Sequence, residues 1–164
     1  MRSILSILLI SVILFSCSNG NKRYNIDETT SLYYDSLTYL KSEMTLLNGI
    51  VYSEFIENGK KKRKVNGKYV NGRQEGTHRK YHEGGQLFIE TVYKNGDNKK
   101  NYTKGWYKDG QLMYHRIFDN ENQQTIETWY YPNGMFKSKE ISIEYETISK
   151  KCWDKDGNEI KCKK

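Results

Sequence analysis

The chain has 164 residues, 13% of them aromatic, a single proline and a formal net charge of +7. Once a leader is set aside, that length suits one domain. A basic balance in a protein that leaves the cytoplasm argues against nucleic acid as a partner; it leaves anionic lipid headgroups, cell-wall polymers or surface polysaccharides within reach. The leader is the first element. Residues 1–16 open with Arg2, run apolar from Ile4 to Phe15 and end on small Ser16, the pattern of a secretory signal peptide. The apolar run is shorter than the ~20 residues that span a bilayer, and it has no polar face for a helix buried on one side.

Leu14-Phe15-Ser16-Cys17 resembles the lipobox of bacterial lipoproteins. The resemblance implies cleavage before Cys17 and a diacylglycerol plus an acyl chain on that residue. More than one chain gives stable anchoring, at about 0.8 kcal/mol per buried CH₂. The alternative is an unmodified Cys17 and a free secreted protein. Within that family, Ser18 is not the aspartate that retains proteins at the inner membrane, which implies a place in the bacterial cell envelope, lipid-anchored at the outer membrane and facing the periplasm. Residues 17–30 are polar and read as a tether, so the folded domain is expected over 31–164.

That domain repeats itself. Taking one turn residue per period, the anchors are Leu37, Gly59, Gly85, Gly110, Gly134 and Gly157, separated by 22, 26, 25, 24 and 23 residues. Four positions before each stands an aromatic residue: Tyr33, Phe55, Tyr81, Trp106, Tyr130 and Trp153. The dipeptides Asn58-Gly59, Gly84-Gly85, Asp109-Gly110, Asn133-Gly134 and Asp156-Gly157 are those that tight hairpins select, because the turns need positive φ. Further Asn-Gly pairs at 48–49, 66–67, 71–72 and 95–96 offer a second reversal per period. Two reversals in about 24 residues leave two strands of roughly eight. In QLFIETVY, Leu87, Ile89, Thr91 and Tyr93 point one way and Phe88, Glu90 and Val92 the other, as in a half-buried sheet. A two-residue turn at 109–110 would set Trp106 opposite Met113, and likewise Tyr81 opposite Phe88 and Trp153 opposite Ile160. The expected fold is all-β: an elongated antiparallel β-hairpin meander of about five hairpins, with a β-sandwich as the alternative.

Gly76-Thr-His-Arg-Lys-Tyr81-His-Glu-Gly84-Gly85-Gln-Leu and Gly105-Trp106-Tyr107-Lys-Asp-Gly110-Gln-Leu resemble the MORN-variant repeat of bacterial YwqK-type antitoxin-like proteins. The match is good over 68–143, degenerate at 152–162 and marginal at 33–59. The resemblance implies tandem MORN-like hairpins of about 24 residues stacked into a twisted sheet. It brings no catalytic residues, and its label implies an antitoxin- or immunity-type alternative.

Candidate chemistry is sparse. His78 and His82 on one strand stand roughly 13 Å apart at about 3.3 Å per residue, too far to share a zinc ion; they and His115 read as surface residues, and no metal or cofactor is expected. Cys152 and Cys162 flank the last hairpin and are a candidate disulfide in an oxidising compartment. A two-residue turn would put their sulfurs on opposite faces, whereas a three-residue loop over 156–158 would place them directly across from each other. Lys60, Lys61, Lys62, Arg63 and Lys64 form a basic patch, read as a solvated loop or blunted edge strand, with contact to an anionic membrane as the functional reading. Tyr81, Trp106, Tyr107, Tyr130 and Tyr131 are the candidate binding face: the aromatics are the core of a single-layer sheet or a platform for a protein, glycan or lipid ligand. No nucleophile elbow, phosphate loop or HExxH motif occurs, so no enzyme is expected. Open sheet edges permit self-association.

Overall fold

The computed structural model describes residues 22–32, 35–93, 96, 102–119, 121–144 and 146–163. The leader, Cys17 and the aromatic Tyr33 lie outside the described residues. The fold is all-β. Strands β1 (Arg23–Asn25), β2 (Thr29–Ser31) and β3 (Thr38–Leu40) precede ten more: β4 (Gly49–Glu57), β5 (Lys60–Val70), β6 (Arg73–Tyr81), β7 (Leu87–Tyr93), β8 (Tyr102–Trp106), β9 (Leu112–Asp119), β10 (Gln124–Tyr130), β11 (Phe136–Ile143), β12 (Glu146–Trp153) and β13 (Glu159–Ile160). β4 to β13 follow one another in sequence order across a single sheet, β1 adds to its first edge, and β2 pairs with β3 in a small separate sheet. Eleven strands at about 4.8 Å spacing make a ribbon roughly 50 Å wide. Every neighbouring pair is antiparallel except β1, which runs parallel to β4. Among the described residues no second large sheet covers this one, so the architecture is a meander and not a sandwich.

Two kinds of turn build it. Asn58-Gly59 and Asn71-Gly72 have both residues at positive φ (52° and 71°; 48° and 73°) and close two-residue hairpins between Glu57 and Lys60 and between Val70 and Arg73. The four later tips share another design. In each, the residue just before the loop donates its N–H to the carbonyl four residues on, and the glycine donates back: Tyr107 N to Gln111 O (2.9 Å) and Gly110 N to Tyr107 O (3.0 Å), with the same pair of bonds at 82–86, 131–135 and 154–158. Gly85, Gly110, Gly134 and Gly157 adopt φ of 82–88°, the left-handed position of a three-residue loop. The expected two-residue register is corrected accordingly. Tyr81 faces Leu87, Trp106 faces Leu112 and Trp153 faces Glu159. A bulge one step further in, as between Gly105 and Trp106, restores the pairing.

The Asn-Gly pairs do not all reverse the chain. Asn66-Gly67 sits inside β5 and Asn48-Gly49 at the entrance of β4. The tether is also shorter than the sequence suggests. Within it, Arg23–Asn25 is strand β1, Ile26–Glu28 a 3-10 turn capped by Asn25 Oδ1, and β2 begins at Thr29. The cause is tertiary: the exposed edge of β4 receives Ile50 N to Lys22 O at 2.9 Å, and Gly49 leaves room for the Tyr24 ring. A parallel pairing of this kind needs no local hydrophobic pattern.

The interior is small. Leu47 (0% exposed) and Val51 (2%) are the fully buried apolar residues among those described. They lie where the segment around β3 folds over the β5–β6 turn, through Thr38 N to Gly72 O and Gly72 N to Leu47 O, both 2.9 Å. Elsewhere the sheet is one layer of half-buried side chains.

Candidate functional site

One cross-strand row fixes the two faces of the meander. Lys80, Ile89, Gly105, Tyr114, Trp129, Ser138 and Cys152 are successive partners on seven adjacent strands. Cross-strand partners share a face and chain neighbours take opposite faces. Tyr81, Trp106, Tyr130 and Trp153, each one residue further along, therefore share the opposite face beside the hairpin tips. Phe136 joins them, with its ring 5.3 Å from Tyr130 and 5.8 Å from Trp153, and Phe55 meets Tyr81 edge-on at 5.5 Å. Tyr81, Trp106, Tyr130 and Trp153 are half-buried, whereas Phe136 is 52% exposed.

Tyr107 and Tyr131 do something else. The Tyr107 hydroxyl donates to Tyr130 O (2.8 Å) and the Tyr131 hydroxyl to Trp153 O (3.0 Å), while His82 Nε2 donates to Trp106 O (3.0 Å). The first residue of each tip thus ties its hairpin to the aromatic position of the next one, 22–24 residues on. At the corresponding place in the last tip, Asp154 turns back on its own loop and accepts from Asp156 N and Asn158 N at 2.9 Å each. Two of the five expected face residues are therefore ties between repeats. Sequence reasoning did not separate them from their neighbours, although their fixed place three before the glycine was a visible signal.

The opposite face carries ion pairs and an aromatic pair of its own. Arg116 pairs with Glu127 and Lys150 with Glu140 (2.7 Å). Tyr114 packs against Trp129 with ring centres 4.4 Å apart; burial, with the Glu127 charge behind it, pushes the Tyr114 hydroxyl up to about 12.

The basic patch is not a loop. Residues 60–64 belong to β5 and face β4 carboxylates: Lys61 (2.5 Å) and Arg63 (2.9 Å) meet Glu54, and Lys62 (3.1 Å) and Lys64 meet Glu57. Lys61 first, then Arg63, holds the Glu54 carboxyl below its ordinary range; Lys64 and then Lys62 do so for Glu57. Two carboxylates offset part of the charge of these five residues, and the Lys61, Lys62 and Arg63 side chains stay more than half exposed.

The disulfide forms between Cys152 and Cys162. Cys152 lies opposite Ile160, not Cys162, because the three-residue loop falls on 155–157. The bridge therefore runs diagonally beyond the end of β13.

The histidines correct the sequence reading. His78 is 7% exposed, because β5 and β6 pair only through Lys68–Val70 and Arg73–Glu75 and then part. Its ring fills the notch against Gly67, between Tyr69 (4.9 Å) and Tyr93 (5.2 Å). Nε2 donates to Lys68 O at 2.8 Å and Nδ1 meets Gln74 Nε2 at 3.3 Å. Burial lowers its pKa, opposed by the Lys68 carbonyl and by Glu75; burial and Lys104 likewise lower His115. Both are protonated more readily in the unfolded chain, where the ordinary value is about 6.5. Stability is therefore fully present above that pH and is lost as pH falls through the folded values, by at most about 1.4 kcal/mol per pH unit for each proton. Urea titrations at pH 7.5 and 5.5 should show this loss, and His78→Gln should remove most of it. An unchanged loss in that variant would assign the dependence elsewhere.

No group of three or more His, Cys, Asp or Glu residues placed to hold a metal ion occurs among the described residues. The fold and its tied tips define a single-layer, repeat-built β-protein. No protein-family model matches the chain, and no curated protein matches it.

Proposed function

We propose that the chain is a non-catalytic scaffold of MORN-variant type, held at the bacterial envelope by a lipid on Cys17, that binds a protein, glycan or lipid through the face carrying Tyr81, Trp106, Tyr130, Phe136 and Trp153. One observation carries this reading: a large aromatic row lies on a one-layer sheet with no second large sheet over it among the described residues, while Phe136 stays 52% exposed. Stacked hairpins generate extended surfaces more readily than enclosed pockets, and aromatic side chains are enriched where proteins bind partners. The non-catalytic part rests on the absence of any recognised nucleophile or phosphate motif in the sequence. The anchor rests on the lipobox resemblance.

Two measurements test it. Cys17→Ser should move the protein from the membrane fraction to the soluble fraction. Phe136→Ala together with Trp106→Ala should lower retention of envelope extract on the immobilised full chain by tenfold or more, with the far-UV circular dichroism unchanged. Unchanged retention would remove the aromatic face from the proposal. Growth rescue against a toxin acting on the same side of the membrane would replace the scaffold reading with the immunity reading.

A further inference from the structure

A second feature lies at the first end of the aromatic row and shares Tyr81 with it. Where β5 and β6 part, an open cleft of about 630 Å³ forms, bounded by the 3-10 turn on one side and the 82–86 loop on the other. Its lining includes Ser53, Phe55, Asn66 and Tyr81. Asn66 is 7% exposed and held on both sides: Ser53 Oγ donates to its Oδ1 (2.8 Å), and its Nδ2 donates to Arg79 O (3.1 Å). The Tyr81 hydroxyl is fixed by Val65 O (2.7 Å), which sets its ring edge-on to Phe55. Side chains, not a backbone ladder, therefore shape this site. Fixed polar groups beside an aromatic wall are what a binding site needs.

The charges narrow the ligand. Asp27 and Glu83 stand on the rim with exposed side chains, and Lys80 lines the same cleft. Glu54, also in the lining, is already paired with Lys61 and Arg63. An anionic ligand would meet two carboxylates, and an organic cation would meet Lys80. Ser53 Oγ, Asp27 and Glu83 offer acceptors and Asn66 Nδ2 a second N–H, which suits a ligand rich in hydroxyls. The aromatic wall suits its C–H face. We infer that this cleft binds a neutral pyranose saccharide, with Asp27 and Glu83 accepting hydroxyl hydrogen bonds at the rim, Ser53 and Asn66 as the polar floor and the Phe55–Tyr81 pair as the stacking wall. The inference deepens the proposed function by naming a glycan, and it rests on that reading only for the envelope setting.

The test is a ¹⁵N-resolved titration of the full chain in a sugar-free detergent with cellotetraose and chitotetraose, with choline chloride and inorganic phosphate as comparison probes. The expected result is saturable shifts at the amides of Ser53, Asn66 and Glu83 with one of the saccharides alone. Glu83→Ala or Asp27→Ala should weaken that binding about tenfold, the loss of one hydrogen bond to a charged group. Trp106→Ala, which probes the part of the aromatic face outside the cleft lining, should leave it within about twofold. Absence of shifts with both saccharides up to about 10 mM, ten times a 1 mM Kd, would overturn the inference. So would equal shifts with choline or phosphate, or unweakened binding in both acid variants. Because the extract-retention measurement depends on Trp106 and Phe136 and the titration on Glu83 and Asp27, failure of one reading is distinguishable from failure of the other.

Discussion

Gly67→Ala is expected to destabilise the protein by about 3 kcal/mol, at the upper end of the usual cost of overpacking. A Cβ at this position would overlap the His78 imidazole. The ring cannot yield easily, because Tyr69 and Tyr93 flank it and Lys68 O holds Nε2 at 2.8 Å. Moving it would also leave buried hydrogen-bonding groups unpaired, which itself costs about 1–3 kcal/mol. Urea denaturation of the single variant measures the loss. In a His78→Ala background the same glycine substitution should cost much less, since the overlapping ring is gone; equal costs in the two backgrounds would mean that the clash is not the cause.

Cys162→Ser is the second large effect, and it should be local. The bridge closes a segment with a sequence separation of 10, for which loop-closure entropy gives roughly 2–3 kcal/mol. The hairpin it staples has little else: β13 contributes two paired residues, and Ile160 is 44% exposed. The Asp154 amide, bonded to Asn158 O at 2.9 Å, should exchange with solvent about 30- to 150-fold faster in the variant. Amides of β7 to β9 should be unaffected. A uniform acceleration across the sheet would show that the last hairpin is coupled to global unfolding, and no change at Asp154 would show that the turn holds itself.

The repeat was legible because its signals are local. A glycine at positive φ and an aromatic four residues earlier recur at Gly59, Gly85, Gly110, Gly134 and Gly157, so strand direction and fold class follow from spacing. The register was read one residue short, because Asp109-Gly110 and its equivalents fit a two-residue turn as well as the end of a three-residue loop. Only the hydrogen bonds from Tyr107 to Gln111 and back from Gly110 distinguish the two.

The candidate site was legible in part. Tyr81, Trp106 and Tyr130 lie on one side of the sheet, while Tyr107 and Tyr131, next in the chain after Trp106 and Tyr130, give their hydroxyls to the next hairpin. Adjacent tyrosines look alike in a sequence, and the strand end separates them. The ion pairs of the basic run were not legible, because Glu54 and Glu57 lie before the turn and come opposite it only after the hairpin closes.

What the sequence determined by itself is the all-β class, the period, the five hairpin tips and the pairing of aromatic with glycine, since each depends on backbone preference within a few residues. What the tertiary structure decided is where pairing stops. β1 runs parallel on the edge of β4, β5 and β6 part around Gly67 and His78, and the cleft floored by Asn66 opens above that parting. These features depend on contacts between residues far apart in the chain, whose energies come from packing and from buried hydrogen bonds that no short stretch of sequence contains.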